Sequence, residues 1–238
     1  MSCGLGEVVR IGHLYPSGGL CDHEVQMMAR GGVQFLTTRL PFRDTSIASD
    51  KSLIDDLGSH AMLLADARVH LIALNCTAAG VVAGPDEINR RVQAATGIRS
   101  VTTIQAVMAA LAAANASSIA LMTPYRREVV EAEIAFFEKQ GLRVVSEKSL
   151  PQNTPFDQGM LHPQRWLELA ATLKGPFDAL VISCAGIRLA DVIEKLEALV
   201  NKPVIASNAA LLWYCLKTLN VAQKPKHYGS LLEGAFDA

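Results

Sequence analysis

Two cysteines close equivalent apolar runs in this chain. Leu71-Ile72-Ala73-Leu74 leads through Asn75 to Cys76 and Thr77, and Ala179-Leu180-Val181-Ile182 leads through Ser183 to Cys184 and Ala185. The thiols lie 108 positions apart, and the same offset relates Ile11 to Ile119 and Pro16 to Pro124. Two matches at one offset point to two similar halves, each presenting one thiol at the end of a buried strand. Thiols facing each other across a cleft can work on opposite faces of one carbon, a layout for isomerisation or racemisation. A thiol near neutral pKa removes a proton, returns one, or attacks an activated alkene. A strand end beside a helix N-terminus supplies backbone N–H groups and a positive dipole end, which would lower the thiol pKa and help hold a carboxylate. The competing reading is a pair of inert core cysteines, a common place for this residue type. Their matched placement weighs against it.

Other residues fall near the two thiols. Thr77, Ala78 and Ala79 after the first, and Ala185 and Gly186 after the second, are small enough for a ligand to approach the backbone. Pro16-Ser17-Gly18-Gly19 and Thr123-Pro124-Tyr125 close the first strand of each half. Ser17 and Tyr125 offer hydroxyls for carboxylate oxygens there, although interface packing would also suit Tyr125. Cys21-Asp22-His23-Glu24 has metal-ligating residue types, but its spacing is wrong for a preformed zinc site and a charged helix start explains it better, so no metal is expected. Arg126 and Arg127 read as a solvated helix face that can also steer anions. Gly4-Leu5-Gly6 precedes the first strand instead of following it, so it is not a dinucleotide fingerprint.

These positions require particular elements. Strand-like segments (8–15, 33–38, 71–74, 101–103) alternate with helix-like ones (47–67, 86–95, 104–115) in the first half, and 119–122, 142–146, 179–182 and 204–206 alternate with 126–140, 163–173, 191–200 and 209–219 in the second. Residues 151–162 read as a loop. Such alternation predicts an α/β fold of mostly parallel sheets with the strand-end loops on one edge. The expected division is an N-terminal α/β domain over 1–115, a C-terminal one over 116–208, the helix 209–222 packing back on the first, and a tail over 223–238 without clear periodicity.

The 238 residues are 50% hydrophobic and 19% charged, with a formal net charge of −1, as expected of a well-cored globular chain. The absence of a basic block argues against nucleic acid as a partner. No apolar stretch is long enough to span a bilayer uninterrupted, and the first residues lack a signal pattern. Five cysteines without CxxC read as free thiols in a reducing compartment, so a cytoplasmic location is expected.

Taken together, Asn75-Cys76-Thr77, the run Ala120 to Tyr125, Asp178 to Cys184 continuing through Asp191-Val192-Ile193-Glu194, and Lys202 to Trp213 resemble the aspartate/glutamate racemase superfamily. The resemblance is to the branch that holds maleate isomerases and arylmalonate decarboxylases, and it covers Ile11 to about Leu219. It implies two α/β domains related by a pseudo-twofold, an active site between them, no organic cofactor and no metal, a small carboxylate substrate, and a dimer or larger homo-oligomer. It implies Cys76 and Cys184 as the catalytic thiols. Tyr125, Thr77 and the backbone at Ala78 and Ala185 would bind substrate, with the loop Ser17, Gly18 and Gly19. Asn153 stands where maleate isomerases place a substrate-binding asparagine. Two departures stand out. Maleate isomerases carry Pro-Ser-Ser-Asn where this chain has Pro16-Ser17-Gly18-Gly19, which points away from maleate itself. Arylmalonate decarboxylases have glycine in place of the first cysteine, so Cys76 favours a two-thiol isomerase or racemase. The alternatives are a decarboxylase with Cys184 as proton donor, and a carboxylate-binding protein without catalysis.

Overall fold

The computed structural model describes Gly4 and residues 6–237; Cys3, Leu5 and the chain ends of the expected domains lie outside the described residues. The expected α/β class is observed as two four-stranded, all-parallel sheets with one strand order. In the first, β2-β1-β3-β4, the strands are β1 (Val9–Pro16), β2 (Val33–Leu40), β3 (Leu71–Leu74) and β4 (Ser100–Thr102). The second, β6-β5-β7-β8, is built from β5 (Ser118–Thr123), β6 (Arg143–Ser149), β7 (Ala179–Ile182) and β8 (Val204–Ala206).

Helices α1 (Glu24–Met28), α2 (Ile47–Ser52), α3 (Leu57–Asp66), α4 (Thr77–Ala83), α5 (Pro85–Thr96) and α6 (Thr103–Ala113) connect or flank the first sheet. Around the second run α7 (Arg127–Lys139), α8 (Pro155–Met160), α9 (Gln164–Ala170), α10 (Ile193–Val200) and α11 (Ser207–Thr218). No helix among the described residues is long and apolar enough to cross a membrane.

Alternation along the strands divides the core. In β3, Ile72 and Leu74 face a cluster with Leu57 and Leu64 of α3 and Ile88 and Val92 of α5. Leu71 and Ala73 point the other way, into a larger cluster that continues through Val107 of α6 and Leu211 of α11 into β5 and β7. This is the period-two pattern of a sheet covered on both faces. The two sheets therefore share one apolar body, with α11 packed on α6 and α1.

Three elements differ from expectation. The single helix foreseen over 47–67 is two, α2 and α3, with Leu53 and Ile54 of the break buried in the core. The region 151–162 contains α8, capped by Thr154, whose hydroxyl accepts the Asp157 N–H at 3.1 Å, with Pro155 in the first turn. The tail beyond 223 packs against the body: Leu231 and Leu232 are buried, and the Trp213 indole N–H donates to Asp237 at 3.0 Å.

Candidate active site

Both cysteines leave their sheets by the same backbone route. Leu14 pairs in register with Leu74, and Met122 with Ile182. One residue on, the Asn75 N–H donates to the Leu14 carbonyl at 2.8 Å, and the Ser183 N–H to the Met122 carbonyl at 2.9 Å. The next residue in each case is the cysteine. Cys76 caps α4 in an extended conformation, and the amides of Ala79 and Ala78 reach its sulfur. Cys184 opens an irregular loop in which the Gly186 N–H donates to its sulfur at 3.1 Å. Its own S–H points to Gln158 Oε1, 3.5 Å away on α8.

The two loops are joined at Ser207, the first residue of α11. Its hydroxyl lies 2.9 Å from Thr77 Oγ1 and accepts the Cys184 N–H at 3.1 Å. Behind it runs a buried polar chain. Asn75 Nδ2 bonds Asn208 Oδ1 (2.9 Å) and meets His13 Nε2 (3.0 Å), while Asn208 Nδ2 donates to Glu24 Oε2 (2.7 Å). Glu24 Oε1 accepts the N–H groups of Leu189 and Ala190. The segment 21–24, read as a charged helix start, does open α1, but two of its residues are internal: Cys21 and Glu24 are buried and both bond the loop after Cys184, while His23 is exposed. Burial holds His13 neutral, its pKa lowered to about 4, and raises that of Glu24.

Cys76, Thr77 and Ala78 from the first half line one narrow cavity of about 30 Å³ with Tyr125, Cys184 and Ala185 from the second. Gly19 also lines it. Ser17, Gly18 and Asn153 sit one layer back. Ser17 Oγ accepts the Phe42 N–H (3.1 Å), the Gly18 N–H donates to the Phe42 carbonyl (3.2 Å), and the exposed Asn153 gives its carbonyl to Thr45. Phe42 and Thr45 are themselves wall residues, so these three hold the wall from behind.

Tyr15, Asp50 and Gln158 complete the polar wall and were not singled out from the sequence. Gln158 was signalled by the Thr154-Pro155-Phe156-Asp157 helix start, which places it one turn inside α8. Tyr15 explains Gly19. A Cβ at position 19 would lie 2.6 Å from the Tyr15 ring and 2.7 Å from its hydroxyl, closer than atoms can approach. That hydroxyl takes the Cys21 N–H at 3.0 Å and faces the Ala185 carbonyl at 3.4 Å. The phenol thus fills the space where the resembling family's asparagine would begin. Asp50 gave no signal, since Ser49-Asp50-Lys51-Ser52 has the composition of a solvated turn of helix.

The thiols are not depressed, contrary to the expectation from their loops. Burial raises Cys76 well above its ordinary value, with Asp50 adding to it, against the pull of the Ala79 and Ala78 amides. Burial likewise pushes Cys184 up to about 12, although the Gly186 N–H and the Tyr125 hydroxyl both favour its thiolate. Desolvation outweighs the helix-end amides in this enclosed site, so both thiols are held as neutral S–H groups.

Comparison with known proteins adds a frame. The family model described as arylmalonate decarboxylase matches residues 12–232. A maleate isomerase of Geobacillus stearothermophilus is 23% identical over 95% of this chain and 98% of its own. Among solved structures, the maleate isomerase of Pseudomonas putida S16, as a cysteine-to-alanine variant with maleate, superposes with a TM-score of 0.89 at 21% identity, covering 96% of this chain and 98% of that one. A Nocardia farcinica maleate cis-trans isomerase, as a cysteine-to-serine variant with a covalently bound succinylcysteine intermediate, also gives 0.89, at 23% identity over 97% and 99%.

Proposed function

This chain belongs to the arylmalonate decarboxylase/maleate isomerase family of the aspartate/glutamate racemase superfamily, and we propose that it is a cofactor-independent isomerase or racemase of a small carboxylate or dicarboxylate, worked by Cys76 and Cys184. The observation that carries this reading is the arrival of two thiols, from equivalent loops of two similar halves, on one cavity.

For an alkene diacid, Cys76 reacts as the thiolate, its proton having passed to solvent as the substrate binds; its sulfur adds to one alkene carbon, while Cys184 S–H protonates the other. The single bond turns. The Cys184 thiolate then takes back a proton, and the C–S bond breaks to return Cys76 and the other geometric isomer. The succinylcysteine held by the Nocardia relative is an adduct of this kind. For a racemase, one thiolate removes the proton beside the carboxyl and the other thiol delivers one to the opposite face. In both versions the Ala78, Ala79 and Gly186 amides and the Tyr125 hydroxyl hold developing negative charge, in a pocket where water competes little.

The test is a proton-exchange screen in D₂O over maleate, aspartate, hydantoins and arylmalonates, with Cys76→Ala and Cys184→Ala alongside. Loss of about 10²–10⁴ in turnover in each variant, with the fold intact by circular dichroism, is expected for an acid–base or nucleophilic role. Full activity in Cys184→Ala would reject the proposal. Release of carbon dioxide from an arylmalonate, dependent on Cys184 alone, would decide for the decarboxylase.

A further inference from the structure

One wall group has no counterpart in the chemistry above. Asp50 is only 1% exposed, lines the cavity beside Cys76, and makes no side-chain hydrogen bond among the described residues; its Oδ1 is fully buried without a partner. A buried carboxyl left unpaired costs free energy unless a ligand completes it. None of the described residues lining the cavity is basic.

The groups around Asp50 are acidic or neutral. Asp44 lies in the loop before α2, Glu128 on α7, Cys76 at the head of α4, Tyr125 ahead of α7, and Glu133 and Cys184 beyond. Arg126 sits by Asp44 and directs its guanidinium to the Asn153 carbonyl at 3.4 Å. Burial, with Asp44 and Glu128, raises Asp50 to about 7. The cavity also holds donors, the amides after Cys76 and Cys184.

Resting on the dicarboxylate reading, we infer that Asp50 is a substrate-binding and specificity-determining residue that, in its protonated form, donates its O–H to the second carboxylate of a small dicarboxylate whose first carboxylate lies against the amides after the cysteines. Ionised Asp50 would instead set two anions face to face in a pocket without a cation. Where free Asp50 is ionised, above about pH 7, binding of a diacid therefore takes up a proton, and Asp50 selects for diacids below neutral pH and against them above it.

Succinate, which lacks a reactive alkene, is the probe, with butyrate as the one-carboxylate control. Their Kd values would be measured by calorimetry from pH 6.5 to 8.5 on the wild-type chain and on Asp50→Asn, whose amide N–H donates without titrating. Succinate affinity for the wild type should fall, approaching about tenfold per pH unit above 7, butyrate affinity should stay level, and Asp50→Asn should flatten the succinate profile. Succinate binding that is level with pH in the wild type, or that falls equally in Asp50→Asn, overturns the inference and leaves the wider reading standing. The wild-type profile decides even if the variant fails to fold. Failure of succinate to bind either protein at any pH removes the dicarboxylate reading and this inference together.

Discussion

The proposed role of Cys184 as a proton donor requires that it keep its proton until substrate binds, and its surroundings favour that. Burial raises its pKa to about 12, and Gln158 Oε1 stands ready to accept the S–H. Cys76 is likewise a thiol until something changes its solvation. This gives a direct check. Iodoacetamide should modify both cysteines more slowly than an exposed thiol at pH 7.5, with rates still climbing at pH 9.5 when followed by peptide mass spectrometry. A plateau between pH 7 and 8 would mean that the loop amides prevail over burial. The sequence identified the two sulfurs because their apolar runs repeat at one offset. It gave the wrong direction for their acidity because helix-end amides can be read from spacing, whereas exclusion of water from a closed pocket depends on residues such as Phe42 and Pro155 that come from distant segments.

At the scale of elements, the strands were legible because β3 and β7 are short, wholly apolar and bounded by turn residues, as a strand covered on both faces must be. The break between α2 and α3 was not, since the helical spacing of Leu53, Leu57 and Leu64 persists across it. The polar chain behind the site was also hidden, because it joins β1, α1, the loop after β3 and α11 across 133 positions between Asn75 and Asn208. Asn208 is its hub. Replacing it with Ala would strip a donor from buried Glu24 and an acceptor from buried Asn75. Unsatisfied buried groups of this kind cost about 1–3 kcal/mol each, so urea unfolding of Asn208→Ala should show a loss of at least that size. If the two cysteine loops depend on this chain for their alignment, turnover in the variant should fall even at temperatures where it remains folded.

For the whole molecule, the two halves act as one body because a single apolar cluster runs from the first sheet through α6 and α11 to the second. That shared core also buries carboxyls. Glu133 on α7 is fully buried; Ser183 donates to its Oε1, Oε2 has no partner among the described residues, and burial raises its pKa to about 8. Asp50 is raised to about 7, and Glu24 shifts in the same direction. The folded chain therefore holds protons that the unfolded chain has released above about pH 5. Stability from these groups is greatest below their unfolded pKa values and is lost as pH rises toward the folded ones, at up to about 1.4 kcal/mol per pH unit for each group. His13 works in the opposite sense, because its lowered pKa makes the unfolded chain take up a proton below about pH 6.5. The two effects oppose each other between about pH 4 and 6.5, which leaves pH 6.5 to about 7.5 as the window where the carboxyls dominate, before the buried thiols Cys21, Cys76, Cys184 and Cys215, also raised by burial, add to the same decline. Urea unfolding across that window should show stability declining with pH, and most of the decline above pH 7 belongs to Glu133. Glu133→Gln keeps the shape and an acceptor for Ser183 but cannot ionise, so its profile between about pH 7 and 7.5 should be clearly shallower, with the remaining slope belonging to Asp50 and the thiols. A decline of wild-type steepness in Glu133→Gln would place the titrating group elsewhere and show that the core tolerates this carboxylate in its charged form.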